Sequence, residues 1–258
     1  MSDIVTSSIE GSVAYVCMNR DTKLNALSRD LVKQLLVTLD QVSADDQVKV
    51  VVLKGHGKAF CSGGDLETMS TIETAYESLE WIDSVAELTT KIRSLKPYVV
   101  AKVQGYAAGA GFSLAMACDF VIAKQDAKFA ISFTNVGLIP DLGLIKSLTD
   151  RVSPPLVKEW VSSGKVLSAK EAFDYQLINR IAEGSLDEEV EEFIQFILNG
   201  PSAANRYVKD IVNVAGELTF EQCIEKENKI QAILLQTEDH QEGIQAFLEK
   251  RSPQFKGR

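Results

Sequence analysis

The chain has 258 residues, of which 45% are hydrophobic, so it can bury a large core without a disulfide or a structural metal. It carries 27 Lys and Arg against 36 Asp and Glu, which gives a formal charge of −9. This acidic balance disfavours nucleic acid or an anionic membrane as the main partner, although it allows a local basic rim around a phosphorylated ligand.

The first third of the sequence alternates apolar segments with polar loops. Residues 13–18 predict a buried strand, and Ser28 is a suitable N-cap for an amphipathic helix over residues 29–42. Residues 48–53 predict a second strand, which is rich in β-branched side chains and almost continuously apolar. Such a run is typical of a parallel strand that is covered on both faces.

The alternation of strands and helices continues in the next segments. Apolar residues recur every three or four positions over residues 74–94, which predicts a long helix. Further apolar runs predict a strand at 98–103, a short buried helix at 112–118, and strands at 120–123 and 128–131. Strands that alternate with helices indicate an α/β fold.

From residue 144 onward the pattern becomes mostly helical. A helix is predicted to open at Pro154, and residues 202–250 are nearly all helical in character. We therefore expect an α/β core over residues 1–200 and a helical C-terminal region over residues 201–258.

The four cysteines are widely spaced and form no CxxC pair, which predicts reduced thiols rather than a disulfide framework or a zinc site. The start of the sequence lacks the basic and apolar segments of a signal peptide, and no apolar stretch reaches the length of a membrane span. We therefore expect a cytoplasmic protein without a metal site or a membrane anchor.

Two Gly-rich segments follow predicted strands, at residues 59–66 and 105–111. Open α/β sheets bind their ligands at the carboxyl ends of strands, and the second segment also leads into a helix, whose first N–H groups favour negative charge. Two backbone N–H groups that converge there would form an oxyanion hole. The small residues could equally serve only to let a helix approach a strand, and spacing alone does not decide between the two.

Several other catalytic motifs are absent from the sequence. It has no GxSxG elbow, P-loop, HExxH motif or dinucleotide-binding GxGxxG. Its two histidines, His56 and His240, have no Ser or Cys partner in the local sequence, so a Ser-His-Asp hydrolase is disfavoured.

The two Gly-rich segments belong to a longer series of blocks: residues 59–66 (AFCSGGDL), residues 105–119 (GYAAGAGFSLAMACD) and residues 137–143 (GLIPDLG). In this order they resemble the crotonase, or enoyl-CoA hydratase/isomerase, superfamily over nearly the whole chain. The resemblance implies a spiral core of ββα turns with a C-terminal helical trimerisation region, assembled as a homotrimer or as a hexamer of two trimers. It also implies an acyl-CoA thioester as substrate, with no cofactor besides the coenzyme A of that substrate.

The resemblance further implies roles for individual residues. The backbone N–H groups of Ser62 and Ala110 would hold the thioester oxygen as it becomes an enolate, and one such donor is worth roughly 3–4 kcal/mol of barrier. Phe255 and Lys256 would reach the 3′-phosphate from a neighbouring subunit. The adenine and pyrophosphate would lie near Lys23, Leu24 and the loop that contains Gly63, Gly64 and Asp65. Met69 would line the acyl pocket. Leu66 and Gly109 are also implied to bind the substrate.

Two positions depart from the hydratases of this superfamily. Those enzymes resemble one another in carrying two glutamates, whereas the corresponding residues here are Ser113 and Phe133, which we also place in the substrate site. Hydration is disfavoured, because water addition needs one group to activate water and another to donate a proton. Asp141 stands at or near the position where family isomerases carry an acidic residue. A single carboxylate suffices for an allylic shift, since the proton removed at C2 is returned at C4.

Asp141 has two interpretations. Burial would raise its pKa and make it a better base for a carbon acid, while Phe133 would keep the pocket dry. Alternatively, Asp141 only caps a helix that begins near Leu142, since Pro-Asp is a common helix start. The position of Asp141 in the family pattern favours the catalytic interpretation over the helix cap.

The sequence therefore predicts an isomerase that moves the double bond of an enoyl-CoA from position 3 to position 2, with Asp141 as the proton shuttle. The alternatives are an enoyl-CoA hydratase, a ring-opening isomerase of the epoxyphenylacetyl-CoA type, and a non-catalytic acyl-CoA-binding protein. Hydrolysis with Ser113 as the nucleophile is disfavoured because no histidine base accompanies it.

Overall fold

A computed structural model describes residues 3–258, and within them the chain forms nine β-strands and twelve α-helices. The strands are β1 (Val5–Glu10), β2 (Val13–Met18), β3 (Val50–Gly55), β4 (Tyr98–Val103), β5 (Tyr106–Ala108), β6 (Phe120–Lys124), β7 (Lys128–Ala130), β8 (Val166–Ser168) and β9 (Arg180–Ala182). The helices are α1 (Arg29–Ser43), α2 (Leu66–Ser70), α3 (Ala75–Ser94), α4 (Ala110–Ala117), α5 (Leu144–Thr149), α6 (Pro154–Ser163), α7 (Ala169–Asp174), α8 (Leu186–Phe193), α9 (Gln195–Leu198), α10 (Ser202–Ala215), α11 (Phe220–Leu234) and α12 (Glu238–Glu249).

Six strands form the main sheet, in the order β1-β2-β3-β4-β6-β9. β1 is antiparallel to β2, and all other neighbours are parallel. The apolar side chains of β3 alternate between two cores. Val51 and Leu53 belong to the larger core, with residues of α1, α3 and α4, whereas Val50 and Val52 belong to a smaller core with residues of α8 and α9. The prediction of a parallel strand covered on both faces is therefore confirmed.

A second, smaller sheet consists of β5, β7 and β8 in that order. β5 is parallel to β7, and β8 is antiparallel to it. The α/β class is confirmed, but β1, β5, β8 and β9 were not predicted. The last three have only three residues each, too few to show a periodic pattern. β1 buries only Val5 of its six residues, so it lacks the apolar alternation that marks a strand.

Side-chain caps fix the starts of the helices that border the site. Ser28 Oγ accepts a hydrogen bond from Leu31 N–H at the start of α1, as predicted. Thr74 and Glu77 form a reciprocal capping box at the start of α3. The predicted long helix is α3, whose buried face includes Trp81.

Helices α10, α11 and α12 occupy most of residues 202–250, as predicted. α10 is anchored to the α/β core by Lys209, whose ammonium lies 2.8 Å from the Asp119 carboxylate and donates to Pro97 O at 2.9 Å. Asp119 also accepts a hydrogen bond from Val99 N–H at 2.7 Å. Both charged side chains are almost completely buried, so this ion pair joins two regions that are distant in sequence.

The C-terminal tail folds back onto α12. The Asp239 carboxylate accepts hydrogen bonds from the backbone N–H groups of Lys256 and Gly257, at 2.6 Å and 2.9 Å. Within residues 3–258, no helix combines the length and the apolar character that crossing a bilayer requires.

Candidate active site

The two Gly-rich segments lie side by side, because backbone hydrogen bonds join them directly. Cys61 N–H donates to Tyr106 O at 3.1 Å, and Ala108 N–H donates to Cys61 O at 2.9 Å. The first segment leads from β3 into α2, and the second contains β5 and leads into α4. The structure thus brings together the two segments that the sequence predicted to meet beyond the ends of strands.

Two glycines allow this close approach. Gly63 has a φ of +106°, and a Cβ at this position would lie 2.8 Å from Ala108 O. A Cβ on Gly111, in the first turn of α4, would lie only 2.2 Å from Cys61 O. Any side chain at either position would push the two segments apart.

The backbone N–H groups of Gly64 and Ala110 are donors that these segments present at one cavity. Ala110 is the first residue of α4, where N–H groups have no partner within the helix. Among residues 3–258, neither N–H has a hydrogen-bond acceptor. The prediction that Ser62 supplies one donor is wrong, because Ser62 N–H already donates to Leu24 O at 3.0 Å. On that segment, the N–H groups of Gly63 and Gly64 are without an acceptor among the described residues.

Buried polar side chains hold the first Gly-rich segment in place. The Asn25 amide, which is fully buried, donates to His56 O at 3.0 Å and to Ala59 O at 2.9 Å. The Arg20 guanidinium lies 3.2 Å from the Asp65 carboxylate. Burial tends to raise the pKa of Asp65, but hydrogen bonds from Arg20 and Thr68 outweigh it and leave the pKa below its usual value. Asp65 therefore stays ionised and fixes the loop.

The donors of Gly64 and Ala110 open into a cavity of about 720 Å³. Its wall is largely apolar and includes Trp81, Ile82 and Val85 from α3. Predicted site residues that line it are Lys23, Ser62, Gly63, Gly64, Asp65, Leu66, Met69, Gly109, Ala110, Phe133 and Asp141.

Four predicted site residues do not line this cavity in the described chain. Leu24 is exposed, and its backbone carbonyl accepts a hydrogen bond from Ser62 N–H. Ser113 is buried inside α4. Phe255 and Lys256 lie in the tail against α12, so their predicted reach into the site of a neighbouring subunit stays a prediction.

Asp141 lines the cavity and has one carboxyl oxygen without a partner. Its Oδ1 is buried and has no hydrogen-bond partner within the part of the chain that the structure describes. Burial raises the pKa of Asp141 to about 6, and a hydrogen bond from its own backbone N–H opposes this rise only in part. The carboxyl can therefore exchange a proton near neutral pH.

The alternative interpretation of Asp141 as a helix cap is wrong. α5 begins at Leu144, its N-cap is Gly143, and no side chain caps it. Asp141 contributes only its backbone carbonyl, which accepts from Leu144 N–H at 3.0 Å. Its carboxyl group caps no helix, and the residue lines the cavity.

The thiol nearest to the site is unsuited to catalysis. Cys61 is completely buried, and burial raises the pKa of its thiol to about 12. It therefore stays neutral and is a poor nucleophile at physiological pH.

Sequence reasoning missed some residues of the cavity wall. The helical periodicity of α3 marked Ile82 and Val85 as apolar, but nothing in the pattern showed that they face a cavity rather than the core. Ser132 and Asn135 also line the cavity. Neither lies in a block that the family resemblance identified.

The chain belongs to the enoyl-CoA hydratase/isomerase family, whose model matches residues 8–258. Two Escherichia coli (strain K12) proteins, a 1,2-epoxyphenylacetyl-CoA isomerase and a 2,3-dehydroadipyl-CoA hydratase, are each 30% identical to it over 100% of both chains. The crystal structure of an enoyl-CoA hydratase from Bacillus anthracis gives a TM-score of 0.94 at 28% identity, covering 99% of this chain and 100% of that chain. The predicted family and crotonase fold are confirmed. An isomerase and a hydratase are equally similar to the chain, so similarity does not define the reaction.

Proposed function

We propose that the protein is an isomerase that moves the double bond of a 3-enoyl-CoA to position 2. Asp141 takes a proton from C2, and the electrons of that C–H bond move into the thioester, whose oxygen becomes an enolate. The N–H groups of Gly64 and Ala110 hold this oxygen. Asp141 then returns the proton to C4 while the double bond forms between C2 and C3.

One observation carries this proposal. Within residues 3–258, Asp141, whose buried Oδ1 has no hydrogen-bond partner, lines the same cavity as two backbone N–H groups without acceptors. A pKa of about 6 suits Asp141 to both halves of the reaction, since the group must accept a proton and then give it back. The apolar wall supports the same chemistry, because low polarity strengthens the hydrogen bonds to the enolate.

Hydration is disfavoured because it needs a second acid–base group. Of the other two carboxylates on the cavity wall, Asp65 is held by Arg20, and Glu67 pairs with Lys23 in an exposed position. Phe133 offers no proton. Asp141 is therefore the carboxyl that remains for chemistry among the described residues.

A second candidate function is the ring-opening isomerisation of an epoxidised aromatic acyl-CoA. It is favoured by the aromatic side chains of Trp81 and Phe133 in the cavity wall, and by the similarity to the isomerase of Escherichia coli. This reaction uses the same two donors.

Reaction of 3-hexenoyl-CoA in deuterated water tests the proposed function. We expect conversion to 2-hexenoyl-CoA with deuterium at C2 or C4, and a kcat/KM at least about 100-fold above that for hydration of 2-butenoyl-CoA, because general acid–base catalysis by one residue supplies that much. Mass spectrometry and NMR measure the label. Hydration as the faster reaction would contradict the proposal, and binding without exchange would indicate a non-catalytic protein.

We also propose how the rest of the ligand and of the assembly is arranged. The coenzyme A portion lies along Lys23 and the loop over residues 62–66, at the mouth of the cavity. The C-terminal helices expose large apolar side chains, among them Phe220, Phe247 and Leu248, which supports self-association as a trimer or hexamer. Sedimentation of the full chain as a monomer at micromolar concentration would contradict this assembly.

A further inference from the structure

The side chain of Gln104 joins the two Gly-rich segments. Gln104 follows β4 and directly precedes the second segment, which leads to the donor Ala110. Its amide Nε2 donates to Gly55 O at 2.6 Å and lies 3.4 Å from both Gly57 O and Ala59 O. These carbonyls lie between the end of β3 and the start of the first segment. One residue therefore holds the approach to one donor with its side chain, while its backbone leads to the other.

This contact replaces sheet pairing where β3 and β4 separate. The parallel pairing of the two strands ends at Lys54 and Lys102. Beyond that pair, the Gln104 side chain holds Gly55 O, and the Gln104 backbone carbonyl accepts from Phe60 N–H at 2.9 Å. The turn between these contacts, residues 56–58, is exposed, so packing does little to fix it. Gln104 thus holds both ends of the turn against β4.

A displacement of this turn would reach the donor Gly64. A Cβ on Gly105 would lie 1.9 Å from Lys58 O, so the turn is in direct contact with the residue after Gln104. From the turn, the chain runs through Cys61, whose backbone is bonded to the second segment, to Gly64. Because a hydrogen bond weakens steeply when its geometry is lost, even a small shift of Gly64 relative to Ala110 would weaken their joint grip on one oxygen.

The orientation of the Gln104 amide has a cost. Its Oε1 is buried and has no hydrogen-bond partner within residues 3–258. Turning the amide over would place this oxygen 2.6 Å from Gly55 O, where two acceptors repel each other. The side chain thus leaves one buried atom unpaired, which is unfavourable, and keeps its N–H groups on the turn. Asn25 also donates to Ala59 O, but it makes no hydrogen bond to Gly55 O.

We propose that Gln104 is a positioning residue, which sets the spacing between the N–H donors of Gly64 and Ala110 so that both reach the thioester oxygen. Gln104 does not line the cavity, and it acts through the turn over residues 56–58. This inference rests on the proposed function only in assigning Gly64 and Ala110 as the two donors.

Infrared difference spectroscopy of bound hexanoyl-CoA, isotopically labelled at the thioester carbonyl, tests this role. In the unaltered protein the carbonyl band should lie at a lower frequency than in water, because two fixed donors polarise the carbonyl. Gln104→Met has a similar length without the donors, so it should lose much of this shift. Gln104→Lys, whose ammonium can donate to the same carbonyls, should retain it. Gln125→Met, the matched control, removes an exposed amide outside the cavity wall and should leave the band unchanged.

Steady-state kinetics with 3-hexenoyl-CoA gives a second measurement. Gln104→Met should lower kcat by about 10-fold, less than the roughly 100-fold that a misplacement of about 1 Å can cost, because Asn25 still holds part of the turn. The affinity for hexanoyl-CoA should change by less than about threefold, since the enolate depends on the donors more than the thioester does. A residue that only stabilises the fold would lower the unfolding midpoint and leave kcat and the infrared band unchanged.

A Gln104→Met variant that keeps the full infrared shift contradicts this role, and so do equal losses in Gln104→Met and Gln104→Lys. An unaltered protein without the shift contradicts the assignment of the donors, and this role with it. If Gln104→Met fails to fold, Gln104→Asn replaces it, since its amide is too short to reach Gly55 O and should lose the shift in the same way. The expected shifts without any isomerisation would support the role of Gln104 and contradict only the proposed reaction.

Discussion

Replacing Asp141 by Asn is expected to lower the turnover of 3-hexenoyl-CoA by about 10²- to 10⁴-fold, the usual contribution of a positioned general base. The amide of Asn has nearly the same shape as the carboxyl group but cannot accept a proton from C2. The two backbone donors are untouched, so the affinity for hexanoyl-CoA, a saturated ligand, should change by less than about threefold. Steady-state kinetics and calorimetry measure the two quantities separately.

The control for this substitution is Asp150→Asn. Asp150 is an exposed carboxyl that follows α5 and pairs with Lys146 one turn earlier. It lies outside the cavity, so its removal should leave turnover unchanged. Retained turnover in Asp141→Asn, or equal losses in both variants, would contradict the assignment of Asp141 as the proton shuttle.

The pH dependence of turnover follows from the same carboxyl group. Asp141 must be ionised to accept a proton, and its pKa is about 6. The kcat/KM should therefore rise with pH through about 6 and level off above it. The small residual activity of Asp141→Asn should not show this rise with pH.

The stability of the protein should respond to Asp141 in the opposite direction. Its folded-state pKa is raised, so its contribution to stability is fully present below its pKa in the unfolded chain and is lost as pH rises through about 6. Asp141→Asn should therefore be more stable than the unaltered protein at pH 8, by about 1–2 kcal/mol after allowance for partial exposure. The difference should vanish near pH 4.

The long strands and helices, and the sequence blocks that contain the candidate site residues, could be predicted from the sequence. β3 and α3 have apolar runs whose period is visible locally, and the blocks around Gly64 and Asp141 carry the family resemblance. The short strands β5, β8 and β9 could not be predicted, because pairing between distant segments decides them rather than their own three residues.

The choice between neighbouring backbone groups also depends on tertiary structure. The sequence predicted Ser62 as one donor, and Ser62 is excluded only because its N–H meets the carbonyl of Leu24, 38 residues earlier. The exposure of Ser132 to the cavity is similarly invisible, since a serine after a strand is ordinary. Sequence thus located the site but did not define the groups that are free to act in it.

Removing the ammonium of Lys209 is expected to destabilise the protein by about 3–5 kcal/mol, because it leaves the Asp119 carboxylate buried without its counter-ion. Burial already raises the pKa of Asp119, and the Lys209 ammonium opposes that rise. Urea denaturation of Lys209→Ala at fixed protein concentration measures the loss, since assembly would otherwise alter the apparent stability.

Two further variants separate the buried ion pair from general effects of charge removal. Lys229→Ala deletes an exposed ammonium that pairs with Glu225 within α11, and it should cost less than about 1 kcal/mol. Lys209→Met combined with Asp119→Asn should recover much of the loss, because no uncompensated charge remains buried and the Asn oxygen can still accept from Val99 N–H. A Lys209→Ala variant as stable as Lys229→Ala would mean that Asp119 finds another partner, and that packing rather than charge holds α10 on the α/β core.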